Sequence, residues 1–341
     1  MNKRLKDISF FIALIILPII FFLVSLMLGP YKIGPFDVIN IIIGKIIGRD
    51  LVNNKLAINM IWTVRMPRIL GAVLAGSGLS VAGAVFQGLF KNPLASPYTL
   101  GISHGAGFGA AIAILLSTSA FTSSLPIQIS ALIFGLVAVS VTFLMGMRGR
   151  KSTVTLVLSG MLVGSLFSSL VALIKYVADP YEKLPEIVFW LMGTLSAVTY
   201  QKLWMILPLF TISMAIIFMM CWRINVLSLG DQEAKSYGIN VKKERTLIIS
   251  ICSIITALVV SISGVIGWIG IVIPHLARIL VGPDFRKLIP VSFSLGICYT
   301  LLIDDICRNL TAGEIPLGVV TGIIGTPVFI YFIFKGKVRW E

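Results

Sequence analysis

The sequence predicts an all-α polytopic membrane protein with about ten transmembrane helices. Three observations carry that prediction. Of the 341 residues, 57% are hydrophobic and only 12% are charged, too little charge to cover a soluble surface. Apolar stretches of roughly 18 residues or more recur along the chain, each long enough to cross a hydrocarbon core of about 30 Å. No long hydrophilic block separates them, so residues 1–341 read as a single membrane domain.

In chain order the predicted spans are 8–28, 69–90, 100–116, 127–147, 154–174, 204–222, 247–263, 268–281, 289–303 and 317–334. Only helices can carry such lengths through lipid, because every backbone N–H and C=O must be bonded internally. The first apolar run is too long for a signal-peptide core and no A-x-A pattern follows it, so it reads as a retained span. The eighth and ninth spans are short and must be little tilted or buried among neighbours. Residues 38–47 form a short apolar run with flanking charges, expected as a helix on the membrane surface.

The net charge of +14 is explained by loop charges that orient a membrane protein, and no nucleic-acid partner is expected. Ten spans place both termini on one side. That side holds most of the Lys and Arg, including Lys91, Arg150, Lys151, Arg223, Lys242, Lys243, Arg245, Lys335, Lys337 and Arg339. It is therefore the cytoplasmic side of a multi-pass protein of the cytoplasmic membrane. Lys32, Lys45, Arg49, Lys55, Arg65 and Arg68 crowd instead into the outward loop between the first two spans and the start of the second. This local exception to the charge rule invites a functional reason.

The acidic residues, Asp304, Asp305 and Glu314 among them, fall in expected loops or near span ends. An ion-coupled carrier usually needs ionisable groups near the midplane, which disfavours that alternative. No G-x-x-x-x-G-K-[ST] phosphate loop occurs, so any ATP hydrolysis belongs to a partner. No nucleophile, paired acids or metal-ligand cluster points to an enzyme. Cys221, Cys252, Cys298 and Cys307 lack CxxC spacing and read as small buried hydrophobes. His104 and His275 lie in different motifs without other ligands at metal spacing, so no metal site is expected.

The motifs follow in order: Arg65-Met-Pro-Arg68, Gly76-Ser-Gly78, Gln87, Asn92-Pro-Leu-Ala95 and Gly101-Ile-Ser-His-Gly105. Then come Trp190-Leu-Met-Gly193, Leu229-Gly-Asp-Gln-Glu-Ala-Lys-Ser-Tyr-Gly238, Pro274-His275 and Gly282-Pro-Asp-Phe-Arg286. Asp304, Arg308, Glu314-Ile-Pro-Leu-Gly318 and Gly325-Thr-Pro327 close the series. Together they resemble, over nearly the whole chain, the FecCD-type permeases of iron-siderophore, haem and cobalamin importers. The resemblance implies a type II ABC importer permease. Two copies would surround a central path. Two cytoplasmic ATPases would hold ATP and Mg, leaving no cofactor in this chain, and an extracytoplasmic binding protein would deliver cargo. The cargo expected is an iron chelate, either siderophore or haem. Cobalamin and oxyanions are the alternatives within the family.

Each motif has a physical reading beside the implied one. Leu229, Gly230, Asp231, Glu233, Ala234, Tyr237 and Gly238 lie in the long basic cytoplasmic loop at about 223–246. Asp231 can start a short helix and Gly238 can end it in the left-handed conformation. By local sequence this is a solvated loop helix; the resemblance makes it the helix that couples to the ATPase. Arg65 and Arg68 are three residues apart, on one helical face, and Arg308 is expected in the outer turn after span nine. Arginines at a membrane edge snorkel; the resemblance has them receive acids of the binding protein. Asn92, Pro93 and Leu94 close span two as a tight turn, which the resemblance places at a cytoplasmic gate. Ser159, Gly160, Gly164 and Ser165 in span five are either close-packing positions or the wall of the path, and sequence leaves both readings open.

Overall fold

The computed structural model describes residues 3–49, 51–117, 124–148, 153–311 and 313–334. Arg150, Lys151, Lys335, Lys337 and Arg339, counted above toward orientation, lie outside them. The described chain is all-helical. Six helices are long and apolar enough to cross a membrane, and four shorter apolar helices join them. These ten segments match the ten predicted spans in order.

Helix α1 (Lys3–Met27) leads to α2 (Pro35–Ile47) and α3 (Lys55–Asn59). A π-helical stretch (Met60–Arg65) then runs without a break into α4 (Met66–Phe90). Helix α2 covers the apolar run at 38–47: it buries Val38 and Ile41 and exposes Phe36, Ile39, Ile43 and Ile46. A 3-10 turn (Pro97–Leu100) precedes α5 (Ile102–Leu116), α6 (Ser124–Arg148), α7 (Thr153–Val177) and α8 (Lys183–Met192). Next are α9 (Tyr200–Met219), α10 (Cys221–Leu229) and α11 (Asp231–Ser236). Helices α12 (Val241–Ser263), α13 (Ile269–Val281), α14 (Phe285–Asn309) and α15 (Leu317–Phe334) complete the fold.

Helix α4 is the axis of the molecule. All of its residues except Leu70 and Val73 are buried. Lipid tails are as apolar as leucine, so packing rather than water exclusion must hold such a helix in place. The sequence supplies this through small residues. A Cβ on Gly76 would overlap the Gly296 carbonyl of α14, and one on Gly83 would overlap the Gly270 carbonyl of α13. The backbones of α4, α13 and α14 therefore touch directly. Helices α5 and α6 meet in the same way, where Gly105 faces the Phe134 backbone and Gly109 faces Ser130. The Ser130 hydroxyl donates to the Gly109 carbonyl at 2.6 Å.

Two sequence expectations are corrected. Span nine was expected over 289–303 with Asp304, Asp305 and Arg308 in the turn beyond it. Helix α14 instead runs through Asn309 and carries all three side chains buried within it. The charges do not end the helix because they are paired with one another and with neighbouring helices. Span two was expected to begin at residue 69, but helical backbone starts at Lys55.

Candidate functional site

Two ends of the bundle gather the motif residues. One holds α11 and the turn after α4; the other holds the start of α4 and the end of α14.

At the first end, Gly230 (φ +147°) breaks α10 from α11 and Gly238 (φ +76°) ends the short helix in the left-handed region. The predicted start shifts by one residue: Gly230 occupies the cap position and Asp231 is the first helical residue. Asp231 instead accepts from the Arg245 guanidinium of α12, at 2.5 Å to Nη2. That bond holds its carboxyl below the usual carboxylate range. Of the α11 residues only Ala234 is buried. Leu229 and Tyr237 are exposed at its two ends, an apolar pair on an otherwise polar knob.

The turn Asn92–Leu94 lies beside this helix. Lys91 adopts φ +48°, and the Asn92 N–H reaches back to the Gln87 carbonyl, closing α4 before Pro93 is reached. The Asn92 side chain accepts from the Leu94 N–H at 2.9 Å. The Lys91 ammonium donates to the Leu229 carbonyl at 2.6 Å, tying the turn to the start of the short helix. Asn225 of α10 bridges to the next turn, donating to Asp284 at 2.6 Å and accepting from the Phe285 N–H at 2.8 Å. Lys91, Asn225 and Arg245 were not among the candidate residues. Each acts through a partner distant in sequence, and only the Gly282-Pro-Asp-Phe-Arg286 motif hinted at one of them.

At the other end, Arg65, Arg68 and Arg308 are brought together as expected, but not facing outward. Arg68 is 5% exposed; its Nε lies 3.0 Å from both Asp304 oxygens and its Nη1 2.7 Å from Glu314. Arg308 pairs with Asp305 and stands 3.2 Å from Asp304. It also donates to Ser25 of α1, whose hydroxyl donates to Asp305 at 2.7 Å. Arg65 donates to the carbonyls of Leu26, Met27 and Tyr31, capping the C-terminus of α1. Three cations meet three anions in a neutral cluster joining α1, α4, α14 and the loop before α15. In this conformation the forks serve the chain itself, which corrects the picture of three free docking arginines. The physical reason is the cost of an unpaired buried charge. The exposed cations here are Lys32, Lys45, Arg49 and Lys55.

Helix α7 divides the open question of span five. Ser159, Gly160 and Gly164 are buried; a Cβ on Gly160 would overlap the Thr99 carbonyl, and one on Gly164 would lie 3.1 Å from His104 Nδ1. These are packing positions. Ser165, Ser168 and Ser169 lie on the exposed face with Met161, Leu162 and Leu173.

The family model for the FecCD transport family matches residues 16–335. The chain belongs to the FecCD transport family. Among curated relatives, the molybdate import system permease protein of Haemophilus influenzae is 36% identical over 95% of each chain. An iron chelatin transport system permease protein of Helicobacter pylori is 37% identical over 82% of this chain and 83% of its own. A solved structure described as a metal-chelate type ABC transporter in an inward-facing conformation superposes with a TM-score of 0.85. It is 35% identical and covers 96% of this chain and 99% of that one. This FecCD family membership, with the ten apolar segments, makes the chain an integral membrane permease of the ATP-binding-cassette importer class.

Proposed function

We propose that this chain moves an iron chelate or a similar metal complex inward across the cytoplasmic membrane. It acts as a homodimer with both termini cytoplasmic, and separate ATPase subunits supply ATP, Mg and hydrolysis. The observation that carries the reading is the Lys91–Leu229 bond. It joins the short helix, which has a shape and an exposed apolar pair suited to a partner's groove, directly to the turn at the inner end of α4. A push on α11 is thereby delivered to Asn92–Leu94, the expected gate. The Asp231–Arg245 bridge links the same helix to α12.

The delivery protein docks at the opposite end. Exposed Lys32, Lys45, Arg49 and Lys55 attract its acidic surface, chiefly through faster encounter. Arg68 becomes available to a partner carboxylate only when Glu314, whose side chain is 40% exposed, is displaced.

The test is reconstitution with the ATPase and delivery protein in vesicles, offering ferric chelates, cobalamin and molybdate. Molybdate is included because a relative is named for it. ATP-dependent accumulation of a ferric chelate is expected. Replacing Gly230 and Asp231 with bulky residues is expected to distort the start of α11, leaving the membrane bundle folded and ATP hydrolysis running while uptake falls. Uptake by the chain without the ATPase would overturn the coupling; accumulation of another cargo alone would reassign the substrate.

A further inference from the structure

A cavity of about 280 Å³ lies between the 3-10 turn, α5, α7 and α8, lined by Tyr98, Ser103, His104, Ser168, Lys175 and Leu191. Its wall is unusual for the interior of a helical membrane bundle. The Tyr98 hydroxyl, Ser103 Oγ and His104 Nδ1 are all buried and meet no full hydrogen-bond geometry among the described residues. The Tyr98 and Ser103 hydroxyls lie close enough to interact weakly with each other, and His104 Nδ1 has no such neighbour. Ser103 is 2% exposed. Buried polar groups are nearly always paired, since leaving one unpaired is costly. Three such atoms on one small cavity mark a place prepared for a polar guest.

The chemistry of the wall selects the guest. Lys175 contributes three N–H donors and a positive charge at the last turn of α7. Tyr98, Ser103 and Ser168 contribute hydroxyls. Ser103 and His104 sit in the first turn of α5, where the helix dipole is positive. No carboxylate lines the cavity. A donor-rich, cationic wall fits anionic oxygen. The volume falls at or below the small end of ligand pockets, which run from roughly 300 to 1,000 Å³, so it admits a small oxyanion or one edge of a larger complex. Ser168 and Ala172 belong to the exposed face of α7, so the cavity lies beside that face.

We infer that this cavity is a transit site for an anionic oxygen group of the cargo. That group is either a free tetrahedral oxyanion or the metal-bound oxygens of a chelate. The inference rests on the proposed transport reading and further takes the exposed face of α7 as part of the path. Tyr98, Ser103 and Lys175 supply the recognition, and the packed Gly160 and Gly164 hold α7 at the distance that keeps the cavity open.

The experiment is equilibrium binding to the full chain in lipid nanodiscs, with radiolabelled molybdate and ferric citrate as probes. Wild type is expected to bind at least one probe saturably. Molybdate alone would identify the free oxyanion; ferric citrate alone would identify the chelate. Tyr98→Phe with Ser103→Ala, and separately Lys175→Gln, are expected to weaken that binding by about ten-fold without a change in thermal midpoint. If the double variant proves unstable, Lys175→Gln carries the test. No saturable binding of either probe, or undiminished binding in well-folded variants, overturns the site. Failure of the assembled transporter to accumulate cargo would sink the transport reading instead, and it leaves the binding result to be judged on its own.

Discussion

The Lys91 ammonium reaches the Leu229 carbonyl across 138 positions of sequence, from a residue held at φ +48°. A non-glycine residue in the left-handed region costs on the order of 1 kcal/mol. The strain is what turns the lysine back from α4 toward α11. Lys91→Gly is expected to keep or slightly raise thermal stability, because it relieves the backbone. It is also expected to lower cargo moved per ATP hydrolysed in the reconstituted transporter. An unchanged transport-to-hydrolysis ratio would remove the bond from the coupling route.

Arg68 lies between Asp304 and Glu314, and these two acids differ in exposure: Asp304 is fully buried and Glu314 is 40% exposed. Arg68→Ala is expected to destabilise by up to about 3–5 kcal/mol, since the buried Asp304 loses its two-oxygen partner and keeps only Arg308, 3.2 Å away and shared with Asp305. Glu314→Gln should cost far less, about 0–1 kcal/mol for a partly exposed pair. Arg68→Met combined with Asp304→Asn should recover most of the loss. Thermal unfolding in detergent orders the variants; equal effects for Arg68→Ala and Glu314→Gln would refute the buried-pair account.

Gly83 and Gly135 provide a packing comparison. A Cβ on Gly83 meets backbone of α13, which cannot move aside, whereas one on Gly135 finds its nearest neighbour at 3.5 Å. Gly83→Ala is expected to lower stability by about 1–3 kcal/mol through overpacking. Gly135→Ala should be neutral or mildly stabilising, because alanine favours the helix. Reversed rankings in a melting series would show that α4 and α13 do not pack through their backbones.

Dimerisation through α7 predicts a one-sided cross-linking pattern. Single cysteines at Met161, Leu162, Ser165 and Ser169, on the exposed face, should cross-link between copies in native membranes. Those at Ser159, Val163 and Val171, which are buried, should not. Cys221, Cys252, Cys298 and Cys307 are all buried, so background reaction should be low. Cross-links spread evenly around the helix, or none at all, would argue against α7 as the interface.

Hydropathy and punctuation, both local properties, determined a good deal. The ten apolar segments, a short helix over 38–47 and the short helix closed by Gly238 were legible because apolar runs, Gly and Pro act within a turn or two of where they stand. The pairing of charges was decided elsewhere. Arg68 and Asp304 are 236 positions apart, and nothing near either one in sequence says that the other neutralises it. Arg68 therefore looked like an outward-facing fork and Asp304 like a loop acid, whereas both are buried in helices. The same holds for Gly83 against Gly270 and for the cavity walled by Tyr98, Ser103 and Lys175. Residue type states what a side chain can do, but which groups share a low-dielectric interior, and so which charges are paired and which hydroxyls are left over, is set only when distant helices come into contact.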